Sequence, residues 1–448
     1  MPTLEVHKIT EADAVFDQLK AEDLLPGEGP IAAFRQEALE RFKALGIPNT
    51  HQEEWRFTNV APIAAADLAV ATPGDGDPAE LLGQMEAEGL LQITDALAVV
   101  VNGFFRPDLS RLDVLPGEIT FSSFAQGGLE NETARKYLGK IAADPEHPFM
   151  ALNSALFSDG LFIHVPRNVV VTEPLHVVFL TTNTSSPLLS NPRMLVVLEE
   201  SSELRLVETY YGPEKAAYFT NSVVEFDVED NAKLDHYRVN LEGKDAFHVA
   251  TMDARQGRDS FYSSEAVIFG SRITRNDFGM HMDGKGGFGL LNGLYQISGK
   301  QHVDNHTRID HAYPNCESHE LYKGVLDDEA RGVFNGRIYV RQIAQKTDSK
   351  QTNRTLLLSK TAQINTNPQL EIFADDVKCT HGATVGQIDA TQLYYLRSRG
   401  ISLKQAQRML VFAFANEMVE KINLAPLRAF LEKRLLAAQT VPGDLVEK

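Results

Sequence analysis

The sequence predicts a mainly β protein with helical segments at both ends. From about residue 160 to about residue 387, short stretches of alternating apolar and polar residues follow one another, and Gly, Asn and Asp separate them. Helical spacing of apolar residues is confined to the two ends of the chain. Many short strands without intervening helices exclude Rossmann-like and barrel α/β folds. A sandwich, a propeller and a β-solenoid remain.

The N-terminal part is predicted to be mixed and rich in helix. Apolar residues at helical spacing predict one helix over residues 11–23 and another over Pro30–Leu45, which a Gly-Ile-Pro segment ends. A continuous apolar run over residues 97–101 predicts a buried strand, and the Asn-Gly pair that follows it is typical of a tight turn.

The central part is predicted to consist of strands. Its segments repeat an apolar–polar–apolar unit, but no motif of fixed length recurs, so the repeat is degenerate. Periodicity by itself therefore does not choose a solenoid over a sandwich. Representative predicted strands cover residues 161–165, 204–208, 222–228 and 354–358.

The C-terminal part returns to helical spacing. Asp389 or Thr391 is expected to cap a short helix. Ser402 opens a capping box and a longer helix that runs to about Asn423. Pro426 lies early in a last amphipathic helix. The sequence thus divides into an N-terminal domain over residues 1–155, a β core over 156–388 and a helical domain over 389–448.

Composition indicates a soluble protein of a reducing compartment. The formal charge of −18 and the pI near 5.2 argue against a nucleic-acid surface. No apolar run approaches the length of a membrane span, and the N-terminus lacks the basic and apolar regions of a signal peptide. Two cysteines in 448 residues do not suggest a disulfide framework. We therefore expect a cytoplasmic protein.

The most informative segment contains Cys379 and His381. On a strand, residues two apart lie on one face, so the thiol and the imidazole would project together. Cysteine and histidine are ligands for soft and borderline metals and for iron–sulfur clusters. A cluster is ordinarily held by about four protein ligands, which two cysteines cannot supply. If this is a cluster site, the other ligands must come from another chain.

Five segments resemble motifs of the SufB/SufD family, subunits of the Suf machinery for iron–sulfur cluster assembly. Residues 374–386 and 392–401 resemble the C-terminal signature of that family, and the resemblance extends upstream through residues 332–338 and 345–354. Residues 53–58 resemble its N-terminal motif. The resemblance is close over the last third of the chain and looser elsewhere.

Within the family, the SufD branch is the better match. SufB proteins typically have an acidic residue next to the corresponding histidine, whereas here Thr380 and Gly382 flank His381. The resemblance implies a right-handed parallel β-helix between two helical domains. It also implies a non-catalytic scaffold that pairs with SufB and binds the SufC ATPase.

The resemblance also assigns roles at the expected site. It implies that iron or a nascent cluster is held transiently at the SufB–SufD interface, with none expected on the isolated chain. It makes His381 the functional histidine and Cys379 a ligand or a supporting thiol. The sequence leaves open whether iron enters through this subunit, which cluster type forms and whether reduced flavin binds the complex.

Three alternatives compete with this interpretation. The first is a β-helix polysaccharide lyase or hydrolase, which would normally be secreted, whereas this chain lacks an export signal. The second is a SufB-type paralogue, against which the residues around His381 and the cysteine count argue. The third is a homodimer of this chain, because paralogues share an interface geometry.

A second group of polar residues surrounds His302, Asp304 and His306, followed by Cys316 and His319. Its density of histidine and carboxylate is typical of a metal site. On a strand, however, the first three residues share one face, and solenoid turns often stack polar residues there without a metal. A structural role is favoured, with His306 and Cys316 as secondary candidates for iron handling.

No motif indicates an enzyme. Residues 284–289 satisfy G-x-G-x-x-G, but the residues that follow are strand-like, whereas the dinucleotide fingerprint opens a helix, so a tight turn is expected. The sequence has neither a P-loop nor a nucleophile elbow.

The helix around residues 409–415 is apolar on nearly every side. A small terminal bundle offers such a helix little core, so a partner surface is a reasonable alternative to burial. We predict that Leu410, Phe412 and Phe414 contact the ATPase.

Overall fold

The computed structural model describes residues 7–21, 30–182 and 186–437. The helix predicted over Pro30–Leu45 is confirmed. The helix predicted over residues 11–23 begins at Ala12 and is described as far as Ala21, and its last predicted residues lie outside the described ranges. The N-terminal helices are α1 (Ala12–Ala21), α2 (Pro30–Leu45), α3 (Ala61–Ala65), α4 (Ala79–Glu88), α5 (Glu132–Tyr137) and α6 (Pro148–Leu156).

The N-terminal part also contributes strands to the core. The buried strand predicted over residues 97–101 is confirmed as β3, whose side chains are all buried. Asn102 and Gly103 follow it with positive φ angles of 54° and 92°, which make a tight turn into β4. These strands are β1 (His7–Lys8), β2 (Asp67–Val70), β3 (Ala96–Val101), β4 (Phe104–Phe105) and β5 (Thr120–Ser123).

The centre of the protein is a parallel β-solenoid. From β10 onwards, successive strands alternate between two sheets, so each turn of the chain adds one strand to each sheet. We call the sheet of β11 to β21 sheet 1 and the sheet of β10 to β22 sheet 2. Every pair of neighbouring strands in this region is parallel and in register.

The predicted fold class, a mainly β chain with a parallel β-helix core and flanking helices, is therefore confirmed. The remaining strands are β6 (Leu161–Val165), β7 (Leu175–Leu180), β8 (Leu188–Ser190), β9 (Arg193–Leu198), β10 (Glu203–Tyr211), β11 (Phe219–Val228), β12 (Lys233–Leu241), β13 (Phe247–Gln256), β14 (Phe261–Ile268), β15 (Ile273–Met282), β16 (Phe288–Ile297), β17 (His302–His311), β18 (Glu317–Leu326), β19 (Arg331–Val340), β20 (Asp348–Leu357), β21 (Gln363–Ile372) and β22 (Lys378–Gly386).

One corner of the solenoid repeats a left-handed backbone conformation. Residues one turn of the solenoid apart have positive φ there, namely Ser201, Asn231, Asp259, Gly286, Asn315 and Lys346. The predicted tight turn at residues 284–289 belongs to this series. A Cβ at Gly284 would lie 2.1 Å from the backbone nitrogen of Arg258, so the close approach of successive turns requires glycine. The glycines of this motif are therefore explained by solenoid packing.

The C-terminal helices begin at the predicted caps. The Asp389 side chain accepts N–H bonds from the first turn of α7, and the Ser402 hydroxyl accepts the N–H of Gln405 at the start of α8. Helix α8 ends at Val419, before the predicted Asn423, because the backbone beyond it tightens into a turn. These helices are α7 (Ala390–Ser398), α8 (Leu403–Val419) and α9 (Ala425–Ala437).

Helix α8 packs on the outer face of sheet 2. Lys323, on β18, has a 1% exposed side chain that donates to the carbonyl of Phe414 at 2.9 Å and to Glu417 at 2.5 Å. The apolar residues of α8 are thus buried against the solenoid. The shared cluster includes Val411, Ala415 and Met418 of α8 and Val267, Leu294 and Val325 of sheet 2. Among the described helices, none is both long and apolar enough to cross a membrane.

Glu265, buried in sheet 2, makes stability depend on pH. Burial raises its pKa to about 7, although the Asn292 side chain donates to it at 2.8 Å and favours the charged form. The folded state therefore holds this proton over a pH range in which the unfolded chain has released it. As pH rises from the ordinary glutamate value of 4.5 to about 7, stability is lost, and the loss persists at higher pH.

We expect Glu265→Gln to remove this loss. The unfolding free energy of the variant minus that of the parent should be larger at about pH 8 than at about pH 5, by up to roughly 3 kcal/mol. Urea unfolding of both proteins at both pH values measures this difference. The exposed Glu118→Gln serves as the control and should leave the pH profile unchanged. A profile for Glu265→Gln that parallels the parent would contradict this account.

Candidate functional site

The solenoid ends on two strands that each have a neighbour on one side among the described residues. These are β21 in sheet 1, next to β19, and β22 in sheet 2, next to β20. Their outer edges leave backbone N–H and C=O groups without strand partners. Apolar side chains are exposed here as well, including Ile372 at 38%, Phe373 at 56% and Val385 at 46%. We call this surface the open end.

Cys379 and His381 lie together on the last strand of sheet 2. Their register partners on β20 are Ser349 and Gln351, which are buried inside the solenoid. Because strands in register present matching residues on the same face, the thiol and the imidazole project over the interior from the open end. Both residues thus face the same side of β22, as the period of two predicts.

The two side chains differ in environment. Cys379 is half-buried and packs against the solenoid core, whereas His381 is exposed. Burial, together with the nearby Asp348 carboxylate, raises the pKa of the Cys379 thiol above its ordinary value, and the Ser349 backbone N–H opposes this. The thiol is therefore protonated at neutral pH, and a cation or metal must approach before it becomes a good ligand.

Polar residues continue from this pair into the solenoid. Below Cys379, the hydroxyls of Ser349 and Ser318 are 2.8 Å apart, and Ser318 lies 2.9 Å from Nε2 of His311. Below His381, the Gln351 amide nitrogen donates to the Glu320 carboxylate at 2.8 Å. The last turns of the solenoid thus enclose hydrogen-bonded polar side chains beneath both Cys379 and His381.

The ligand set at the open end is incomplete within the described residues. No group of three or more His, Cys, Asp and Glu side chains in this part of the chain is arranged to hold a metal ion. Cys316, the second cysteine, is 1% exposed and donates to the carbonyl of Gly284 at 3.2 Å. It lies beside β18, two strands before Cys379 in sheet 2, and burial raises the pKa of its thiol.

The second polar group binds the N-terminal motif. His302, Asp304 and His306 lie on the outer face of β17. The Thr58 hydroxyl donates to Asp304 at 2.5 Å and lies 2.8 Å from Nε2 of His302. Arg275 contacts Asp304 at 2.6 Å and His306 at 2.9 Å. The sequence indicates the separate segments but not this junction, because residues 53–58 lie more than 200 residues before the strands that they contact.

Arg275 is the centre of this junction. Its guanidinium lies 4.5 Å from the Trp55 ring centroid and bonds to the Glu54 carbonyl and to Asp277. Burial opposes ionisation of Asp304, but Arg275, His306 and His302 together outweigh that effect and hold the pKa of Asp304 well below its ordinary value. These contacts explain why histidine and aspartate side chains are close together at this junction. His306 is part of this junction, away from the open end.

The residues predicted to contact an ATPase lie on α8 at different depths. Leu410 and Phe414 line a groove of about 470 Å³ between α8 and the end of sheet 2, together with Ile388 and Arg354. Phe412 is half-buried against the cluster that α8 shares with the solenoid. Exposed aromatic and apolar side chains nearby are Tyr394 at 75%, Tyr395 at 56% and Met409 at 49%.

Two family models match the chain. One, the SufBD protein N-terminal region, covers residues 27–177, and the other, described as SUF system FeS cluster assembly, SufBD core domain, covers residues 179–414. The chain therefore belongs to the SufBD family of iron–sulfur cluster assembly proteins.

Individual relatives agree with this assignment. A SufBD family protein for iron–sulfur cluster assembly from Synechocystis is 34% identical over 442 residues, 96% of each chain. The cluster assembly proteins SufD of Escherichia coli and Bacillus subtilis are each 30% identical, over 91% and 87% of this chain and 92% and 90% of their own. The predicted resemblance to the SufB/SufD family, with SufD proteins among the relatives, is confirmed.

We expect Arg275→Met to destabilise the fold strongly. The substitution leaves the buried Asp304 and the partly buried Asp277 without the guanidinium. Removing one partner of a buried ion pair typically costs about 3–5 kcal/mol. Urea unfolding measures the loss. The control is Arg308→Met on the neighbouring strand β17. Arg308 is exposed on the same face as Asp304, and a change within about 0.5 kcal/mol is expected there. Equal stabilities of the two variants would show that the junction contributes little.

Proposed function

We propose that this chain is a scaffold subunit of the Suf assembly complex, without catalytic activity of its own. It pairs with a SufB subunit through the open end, and a nascent iron–sulfur cluster is built where the two solenoids meet. One observation carries the proposal: Cys379 and His381 project from the last strand of sheet 2, where the described residues provide no further ligands. A second chain supplies them.

The open end suits strand pairing with a related solenoid. The unpaired edges of β21 and β22 offer backbone hydrogen bonds, and a paralogue with the same strand spacing continues both sheets. Pairing also covers exposed apolar residues such as Phe373 and Val385. A second copy of this chain meets the same geometric condition, so a homodimer is the competing assembly.

At this interface, iron or a nascent cluster is cargo. A neutral His381 imidazole offers a nitrogen ligand that is exposed enough to be reached from the partner. Cys379 lies deeper, and its raised pKa means that metal binding displaces a proton from the thiol. His381 therefore receives or hands over iron, and Cys379 is a ligand or a supporting thiol. Two free thiols fit a cytoplasmic complex.

The ATPase SufC is proposed to dock on the C-terminal helices. The groove beside Leu410 and Phe414 lies directly between α8 and the end of sheet 2. A partner that binds there can act on the strands next to the open end. If SufC binds more tightly to one arrangement of the paired solenoids, ATP-driven movement of SufC shifts the population toward that arrangement. The ligands that the pairing covers are then exposed.

His381→Ala tests the proposed site. The substitution removes an exposed imidazole that makes no described hydrogen bond, so folding and assembly with SufB and SufC should survive. Cluster yield of the reconstituted complex, measured by anaerobic absorption, should collapse while SufC ATPase activity persists. Cys379→Ala should match this loss if the thiol is a ligand and should be milder if it is supporting.

The matched control is His319→Ala, on the outer face of the same sheet, which should leave cluster yield near that of the parent. Normal cluster formation in the His381→Ala complex would refute the site.

Leu410→Asp tests the docking surface. A carboxylate in the groove should weaken SufC binding at least tenfold, because one buried unpaired charge costs more than about 1.4 kcal/mol. Ala413→Asp, on the exposed side of the same helix, is the control and should bind as the parent does. Affinity is measured by titration calorimetry, and circular dichroism verifies the fold. Equal affinities of the two variants would remove this groove from the SufC interface.

A further inference from the structure

We propose that Gln351 is a positioning residue for His381, and that its amide oxygen accepts a ring N–H of the imidazole and so fixes which ring nitrogen faces the cargo. Gln351 is the register partner of His381 on the preceding strand of sheet 2, and its side chain lies on the same interior face. This inference rests on the proposed function, since it concerns the same histidine.

The orientation of the Gln351 amide follows from its neighbour. Its nitrogen lies 2.8 Å from the Glu320 carboxylate, one strand further into the solenoid. The amide nitrogen donates to Glu320, which turns the amide oxygen away from that residue. Burial raises the pKa of Glu320 to about 7, but the ionised and the protonated carboxyl both keep an oxygen that accepts this bond. The amide oxygen of Gln351, Oε1, is buried and finds no hydrogen-bond partner among the residues that the structure describes. A buried acceptor without a donor is costly, and this one lies directly before the strand that carries His381.

A glycine on the opposite sheet leaves room for this amide. Gly336 of β19 faces Gln351 across the interior, and a Cβ there would lie 2.3 Å from the amide nitrogen and 2.8 Å from its carbon. Any larger residue would therefore displace the amide from Glu320. Gly336 and Gln351 belong to residues 332–338 and 345–354, two of the segments that resemble family motifs. The contact between them gives both segments a role in positioning the same amide.

His381 has the complementary requirement. Within the described part of the chain, no hydrogen bond or ion pair fixes its ring. A neutral imidazole has one N–H donor and one acceptor nitrogen, and a histidine that binds a metal through one nitrogen almost always donates the other N–H to an oxygen. If Gln351 accepts that N–H, the lone pair of the remaining nitrogen points outward from the open end. The imidazole is then oriented before iron arrives.

Nitrogen NMR on the full-length chain with ¹⁵N-labelled histidine tests this directly. The ring signals of His381 are identified by their loss in His381→Ala. In the parent chain one tautomer should dominate. Gln351→Met, which keeps the length of the side chain but removes the acceptor, should give a mixture of tautomers. Gln351→Glu, in which two carboxylates can share a proton and still accept, should restore a single tautomer. The control is Thr355→Val. Thr355 lies on the same strand as Gln351 but is in register with Val385, so the ring signals of His381 should stay as in the parent.

Cluster assembly with SufB and SufC provides the second readout. Gln351→Met should lower the rate of cluster formation about tenfold, the usual effect of losing a group that orients a metal-binding histidine, and Gln351→Glu should recover most of it. Unchanged ring signals in Gln351→Met would overturn the proposal, as would an unchanged assembly rate. The NMR readout needs no partner or cluster, so it decides about Gln351 even if His381→Ala shows that the proposed site is wrong.

Discussion

Parallel pairing in register is the constraint on which the rest of this structure depends. Because each strand of the solenoid repeats the alignment of the one before it, every interior side chain is stacked on its counterpart in the next turn. His381 thus ends a row that runs through Leu291, Glu320 and Gln351. A one-residue slip would turn the whole row outward. The position of the thiol and the imidazole is therefore fixed by the backbone hydrogen bonds that pass the register from one strand to the next, up to β20 and β22.

The same constraint allows charged groups inside the solenoid. Glu208 and His236 are buried and 3.1 Å apart, and Arg238 lies 2.6 Å from His248. Burial disfavours the charges of Glu208 and Arg238, which are tolerated because the strand register places these two residues side by side, 3.5 Å apart. Toward the open end, the interior polar side chains include uncharged groups such as the Ser349 hydroxyl and single carboxyl groups such as that of Glu320. The polar interior thus leads to the surface at the place where the last strands lack neighbours.

Local signals in the sequence were sufficient for the strand-rich core, the cap residues Asp389 and Ser402, and the turn at residues 284–289. They act over a few residues, where propensity and turn chemistry decide. The junction of residues 53–58 with Arg275 could not be found this way, because it joins segments far apart and no periodicity records such a contact. For α8, the apolar pattern was clear, but its covering surface, sheet 2, could not be inferred. That Cys379 and His381 lie on one face of a strand was predictable from their spacing, whereas their position at the end of the solenoid was not.

We propose that the cluster site is completed by a second chain. Anaerobic reconstitution with iron and sulfide, followed by absorption spectroscopy, tests it on the isolated full-length chain and on an equimolar mixture with SufB and SufC. A chain with two cysteines, one of which is buried away from the open end, cannot supply a full ligand set. The account predicts an essentially colourless isolated chain and a coloured complex. A stoichiometric cluster on the isolated monomer would contradict it.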